Sequence, residues 1–155
     1  MQKIDWPRFL IAGTIGAVVI FVLDIFWHGT IAKDMYAGYP QRPMAEMEVL
    51  FPFLFGTYIV QLLMFSFLFL RLYPARGIKS AVWWGIWGGL FVVIPNMQFF
   101  VAVKDTSWTV LWMQVVEGIA LCVMMAVLFN ALYRPRQPAR LDGNDRDPFR
   151  PAPRA

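Results

Sequence analysis

Three residues stand out for the chemistry they could do where they sit. Asp24 and Glu117 are acidic residues inside long apolar stretches, and His28, the one histidine, follows Asp24 by four residues. On a helix that spacing puts imidazole and carboxylate on one face. A charge at the centre of a bilayer costs about 2.5–3.5 kcal/mol, so such residues turn to the interior of a bundle and take a partner. Together they could hold a proton or an ion, or offer a cation one imidazole nitrogen and two carboxylate oxygens, a hard N/O ligand set. The plainer reading is structural. Polar side chains cross-link membrane helices through hydrogen bonds of about 0.6–2 kcal/mol each.

The elements that must position these groups follow from hydropathy. The chain has 155 residues, 59% of them hydrophobic, 17% aromatic and 15% charged, too little charged surface for a soluble domain of this length. Four apolar runs, about Phe9–Ile31, Phe51–Leu70, Ser80–Val103 and Trp108–Leu132, are each long enough to cross a hydrocarbon core as a helix. The first is too long for a secretory signal core and lacks a small-residue cleavage site, so it is read as a retained span. The expected fold is all-α, a bundle of four transmembrane helices over residues 1–133. The longest connection, Lys33–Leu50, carries turn residues over Tyr36–Pro43. Pro74 and Gly77 separate the second and third helices, and Lys104–Ser107 is a tight turn between the third and fourth. Residues 134–155 are rich in Arg, Pro and Asp and bury too little to offset their ordering entropy, so they are expected to form a disordered tail.

Basic residues give the orientation. Lys3, Arg8, Arg71, Arg76, Lys79, Arg134, Arg136 and Arg140 flank one side, against Lys33, Arg42 and Lys104 on the other. The basic-rich side is cytoplasmic, which puts both termini inside. Trp6, Tyr73, Trp83, Trp84 and Tyr133 mark the inner interface, and Trp27, Tyr36, Tyr39, Trp108 and Trp112 the outer one. Counting helical rise from the outer ends places Asp24 and Glu117 roughly 10 Å below that interface. Asn96, Gln98 and Gln114 come to similar depth, and Gln61 lies nearer the midplane. The polar residues of the spans are therefore expected in one layer of the outer half.

Small residues mark where helices touch. Ala12/Gly16 and Gly85/Gly89 are small-xxx-small pairs that permit close approach. Gly13, Gly16, Ala17 and Asp24 also fall on Gly85, Gly88, Gly89 and Asn96 at one offset, the pattern of a parallel internal repeat, although the second and fourth helices align poorly. Pro95 removes a helical hydrogen bond within the polar layer and is expected to kink the third helix.

Other chemistries find no support. Basic residues cap apolar runs and form no stripe, which excludes a nucleic-acid partner. Cys122 stands alone, so there is no intrachain disulfide and no zinc-type Cys/His spacing. A haem held by two histidines is impossible within one chain, the methionines share no face, and no phosphate loop, nucleophile elbow or HExxH motif occurs. No cofactor and no catalytic residue is expected. If a metal binds at all, its ligands are His28, Asp24 and Glu117.

The stretch DIFWHGTIAKDMYAG (Asp24–Gly38), followed by RPMAEM (Arg42–Met47), resembles a group of small bacterial inner-membrane proteins of unknown function. These pair an Asp-x-x-Trp-His-Gly motif at the end of the first helix with Arg-Pro-x-x-Glu-Met before the second. The resemblance implies a four-helix inner-membrane fold and singles out Asp24, Trp27, His28, Arg42 and Glu46, which would draw the outer loop back over the polar layer. The function expected is that of a non-enzymatic accessory or binding protein in the bilayer, whose pocket takes a proton, an ion or a small ligand. The alternative is a small oligomeric proton, ion or solute transporter. A haem, metal or quinone protein comes third. Another membrane protein and a second copy of the chain are the partner classes left open.

Overall fold

A computed structural model describes residues 4–36, 38, 43–73, 77–102 and 107–133, with the backbone alone for residues 96 and 99–102. The described elements are all helical. Helix α1 runs Trp6–Phe26 and continues through a single π-turn, Trp27–Ile31, into a short 3-10 turn at Lys33–Tyr36. Helix α2 runs Met44–Leu72, α3 Ile78–Ala102 and α4 Trp108–Leu132. Among the described residues, four helices are long and apolar enough to cross a membrane. The chain is thus a multi-pass membrane protein by architecture.

Local chemistry explains the helix starts. The Asp5 carboxylate accepts from the Arg8 amide at 3.4 Å, with Pro7 in the first turn of α1. Ser107 Oγ accepts from the Val110 amide at 3.2 Å to open α4. Helix α2 begins at Met44, not Phe51, a correction to the hydropathy reading. The run AEMEVL consists largely of good helix formers, and a carboxylate in the first turn (Glu46) suits the positive end of a helix. Hydropathy detects the membrane-crossing part of such a helix and misses its polar start. Pro52 and Pro95 both lie inside helices that continue past them. The expected turn at Lys104–Ser107, Arg42 and the tail at 134–155 lie outside the described residues, apart from the capping Ser107.

The bundle has two ends: the terminal end, where α1 begins and α4 finishes, and the far end, where α1 passes into its π-turn. Helix α3 packs most extensively on α4, α1 touches α2 and α4, and α2 meets α3 through side chains, the Phe65 ring lying 5.1 Å from that of Trp84. Glycines explain the α3–α4 seam. A Cβ on Gly89 would sit 2.8 Å from the Cα of Ile119, and one on Gly85 closer still to the Cα of Val123, so the two backbones lie against each other. On α1, a Cβ on Gly16 would meet the ends of side chains and no backbone, chiefly Met125, at 2.8 Å from Sδ.

At the terminal end the core is aromatic. Phe69, Phe129 and Met125 are fully buried. Phe129 stacks on Tyr133 at 5.4 Å between ring centroids and meets Phe9 edge-on at 5.9 Å. A polar tie closes this end, the Asp5 backbone N–H donating to the Tyr133 hydroxyl at 3.1 Å.

Candidate functional site

At the far end, α1 and α4 bring the three chemically able residues together. One ligand atom each of Asp24, His28 and Glu117 lies within 4.8 Å of the others. Asp24 comes from the last turns of α1, and His28 from the π-turn that follows. That turn is closed by the Ala32 N–H donating to the Trp27 carbonyl at 2.8 Å, an i to i+5 bond. Single π-turns inside helices recur at functional sites because the extra residue re-aims a side chain. Glu117 comes from α4 and is the deepest of the three, its side chain 7% exposed against 22% for Asp24 and 40% for His28.

The imidazole lies between the acids. Its Nε2 is 3.6 Å from Asp24 Oδ1 and 3.3 Å from Glu117 Oε1. One ring nitrogen carries at most one proton, so it cannot donate to both carboxyl groups at once. Glu117 Oε1 is in fact a buried oxygen without a hydrogen-bond partner: the imidazole is close enough to pair with it but not aligned to donate. Asp24 also interacts directly with the Glu117 carboxyl and with the Tyr58 hydroxyl.

Tyr58, from the middle of α2, and Tyr36, from the 3-10 turn, complete the surroundings. The Tyr36 ring lies 5.5 Å from that of His28, tilted by 50°. Its hydroxyl interacts with the Gln114 side chain one turn before Glu117, while burial raises the phenol above its ordinary range and so keeps it neutral. The Trp27 indole N–H is buried and has no hydrogen-bond partner among the described residues.

Of the residues the sequence singled out, Asp24, His28 and Glu117 converge and Gln114 adjoins them through Tyr36. Gln98 is exposed on α3 and Glu46 is exposed on the first turn of α2, so neither side chain is enclosed with the cluster. The side chain of Asn96, and Arg42 altogether, lie outside the described residues. Tyr58 and Tyr36 were missed as site residues. Tyr58 had a signal: a phenol in the phenylalanine-rich run PFLFGTYIV, within an apolar span, needs somewhere to place its hydroxyl.

A second concavity lies apart from this cluster. A groove of about 560 Å³ between α2 and α3 is lined by Phe65, Trp84, Trp87, Phe91 and Pro95, with Gln61 as its amide. Cys122 also borders it and is buried as a free thiol. The cluster can hold protons or a cation, whereas the groove offers chiefly apolar contact.

Compared with known proteins, the chain matches no family model, no curated sequence and no solved structure.

Proposed function

We propose that this chain is a non-enzymatic binding or accessory protein of a bacterial inner membrane, with both termini cytoplasmic and a polar site in the outer half of its bundle. The resemblance of its DIFWHG and RPMAEM segments to small four-helix inner-membrane proteins favours that setting. The observation that carries the reading is the meeting of Asp24, His28 and Glu117 from two helices, with a buried Glu117 oxygen left without a hydrogen bond. A purely structural cross-link would be expected to satisfy that oxygen, because leaving a buried acceptor unpaired costs about 1–3 kcal/mol. Binding a proton, ion or small ligand would satisfy it.

Native mass spectrometry from mild detergent tests this, because it reports mass, oligomer, partner and bound species together. The wild type is expected to carry a bound species or partner that Asp24→Asn and Glu117→Gln release, with the fold retained. A bare chain whose behaviour neither variant alters would overturn the reading. Orientation has its own test. Cys122 is buried, so a cysteine introduced by Ala155→Cys is the one thiol open to a membrane-impermeant reagent, and it should label only after the cells are broken.

The rival reading is an oligomeric transporter. Asp24 and His28 are part-exposed, so the cluster has access to its surroundings. The fully buried Phe69, Phe129 and Met125 close the other half of the single chain. A path would therefore need several copies, and flux in vesicles that Glu117→Gln abolishes would favour it.

A further inference from the structure

We infer that Asp24, His28 and Glu117 form a binding site for a divalent transition cation of the zinc class. This rests on the reading of the far-end cluster as a binding site and names what it holds.

Geometry comes first. Ligands of a tetrahedral centre with bonds of about 2.0–2.2 Å stand about 3.4 Å apart. His28 Nε2 lies 3.3 Å from Glu117 Oε1 and 3.6 Å from Asp24 Oδ1, so one imidazole atom faces both oxygens at ligand spacing. A proton on Nε2 can serve only one of them. A cation placed where the three converge is bound by the nitrogen lone pair and both oxygens, and satisfies all three together. Glu117 supplies the independent sign of a missing partner: its side chain is 7% exposed, and its Oε1 points into the cluster without a hydrogen bond.

Charge agrees with geometry. Two carboxylates and a neutral imidazole carry a charge of −2, which one divalent cation cancels. In a layer where net charge is costly, that neutrality favours a divalent over a monovalent ion. The donor set narrows the choice. Calcium prefers six to eight oxygens, and magnesium keeps an octahedral oxygen shell. Copper(I) seeks thiolate or thioether, and Cys122 borders the α2–α3 groove rather than the cluster. One nitrogen and two oxygens with a fourth position for water suits zinc or cobalt. The Tyr58 hydroxyl on Asp24 is then an outer-shell partner that orients a ligand carboxylate, the usual support of such sites. The part-exposed His28, at the π-turn, leaves a way in.

The test uses the full chain in mild detergent, stripped with chelator and titrated with Co²⁺. The expected result is one Co²⁺ per chain, with the visible absorption of a four- or five-coordinate nitrogen/oxygen site, displaced by Zn²⁺ and not by Mg²⁺. His28→Gln and Glu117→Gln should abolish the stoichiometric binding, and Tyr58→Phe should weaken it about tenfold. Failure of the wild type to bind Co²⁺ stoichiometrically would overturn the inference without appeal to any variant. Unchanged binding in both ligand variants would do the same, marking an adventitious ion only. Should Co²⁺ fail while Asp24→Asn and Glu117→Gln still release another species in native mass spectrometry, the metal falls and the binding site stands. Should both signals be absent, both readings fall.

Discussion

Both halves of this bundle pack aromatic rings, and one of them adds a cluster of ionisable side chains. In the terminal half, Phe9, Phe69, Phe129 and Tyr133 interlock by ring geometry, with Met125 fully buried among the helices. In the far half, Asp24, His28, Glu117 and Tyr58 meet through charge and hydrogen bonding. Among the described residues the buried polar side chains are Ser66 and Glu117. Inside a bilayer, lipid chains are as apolar as leucine, so association there depends on close packing and polar contacts rather than on exclusion of water. The terminal half uses the first device. The far half uses both: Phe21 packs edge-on against the rings of Phe51, Phe55 and Tyr58 at 5.0–5.4 Å, and the polar contacts beside them are left incomplete, since one buried Glu117 oxygen has no hydrogen bond. Packing operates at both ends, and reactivity is concentrated at the far one.

Substitutions can break or sharpen this contrast. The largest effect on stability is expected in the terminal core. Phe129→Ala removes a fully buried ring and should cost about 2–3 kcal/mol, chiefly as the cavity it leaves, measured by denaturant titration in detergent micelles. Next comes the α3–α4 seam. Gly85→Ala drives a methyl group into the Val123 backbone, which cannot give as a side chain end can, and should cost about 1–3 kcal/mol. Gly16→Ala meets the flexible end of Met125 and should cost less than about 1 kcal/mol by the same titration. Equal losses at Gly85 and Gly16 would remove the distinction between a backbone seam and a side-chain contact. The smallest stability change is expected in the far half. Glu117→Gln keeps the shape while removing a buried acid, so it should shift stability by less than about 1 kcal/mol yet abolish Co²⁺ binding. A loss there as large as at Phe129 would make the cluster a structural cross-link.

How far the sequence revealed this arrangement depends on which dimension a residue pattern encodes. The spans were legible because length and hydropathy measure position along the membrane normal, and α4 runs over the bounds expected for it, Trp108–Leu132. The polar start of α2 was missed for the same reason: hydropathy marks what lipid requires, and Met44–Leu50 continues the helix before that requirement begins. Asp24 and His28 were readable as a pair from their spacing, and Glu117 as their neighbour in depth. Depth alone placed Gln98 with them, yet Gln98 is exposed. Rotation of a helix about its axis decides which side chains at one depth meet, and at helical spacing Gln98 falls nearly opposite the Gly85/Gly89 face that α3 turns to α4, a sign the sequence carried and depth ignores. The π-turn at Trp27–Ile31, which sets where His28 points, has no local sequence signature beyond Gly29.

The measurement that bears most directly on the account is a double-mutant cycle on stability between His28→Gln and Glu117→Gln in the chelator-stripped protein. Residues in contact across two helices couple, and with Glu117→Gln itself costing less than about 1 kcal/mol the coupling is expected at the low end of the usual range, about 0.5–1 kcal/mol, with the double variant departing from the sum of the single ones. Strict additivity would mean that α1 and α4 do not bring these groups together, and the site would not exist.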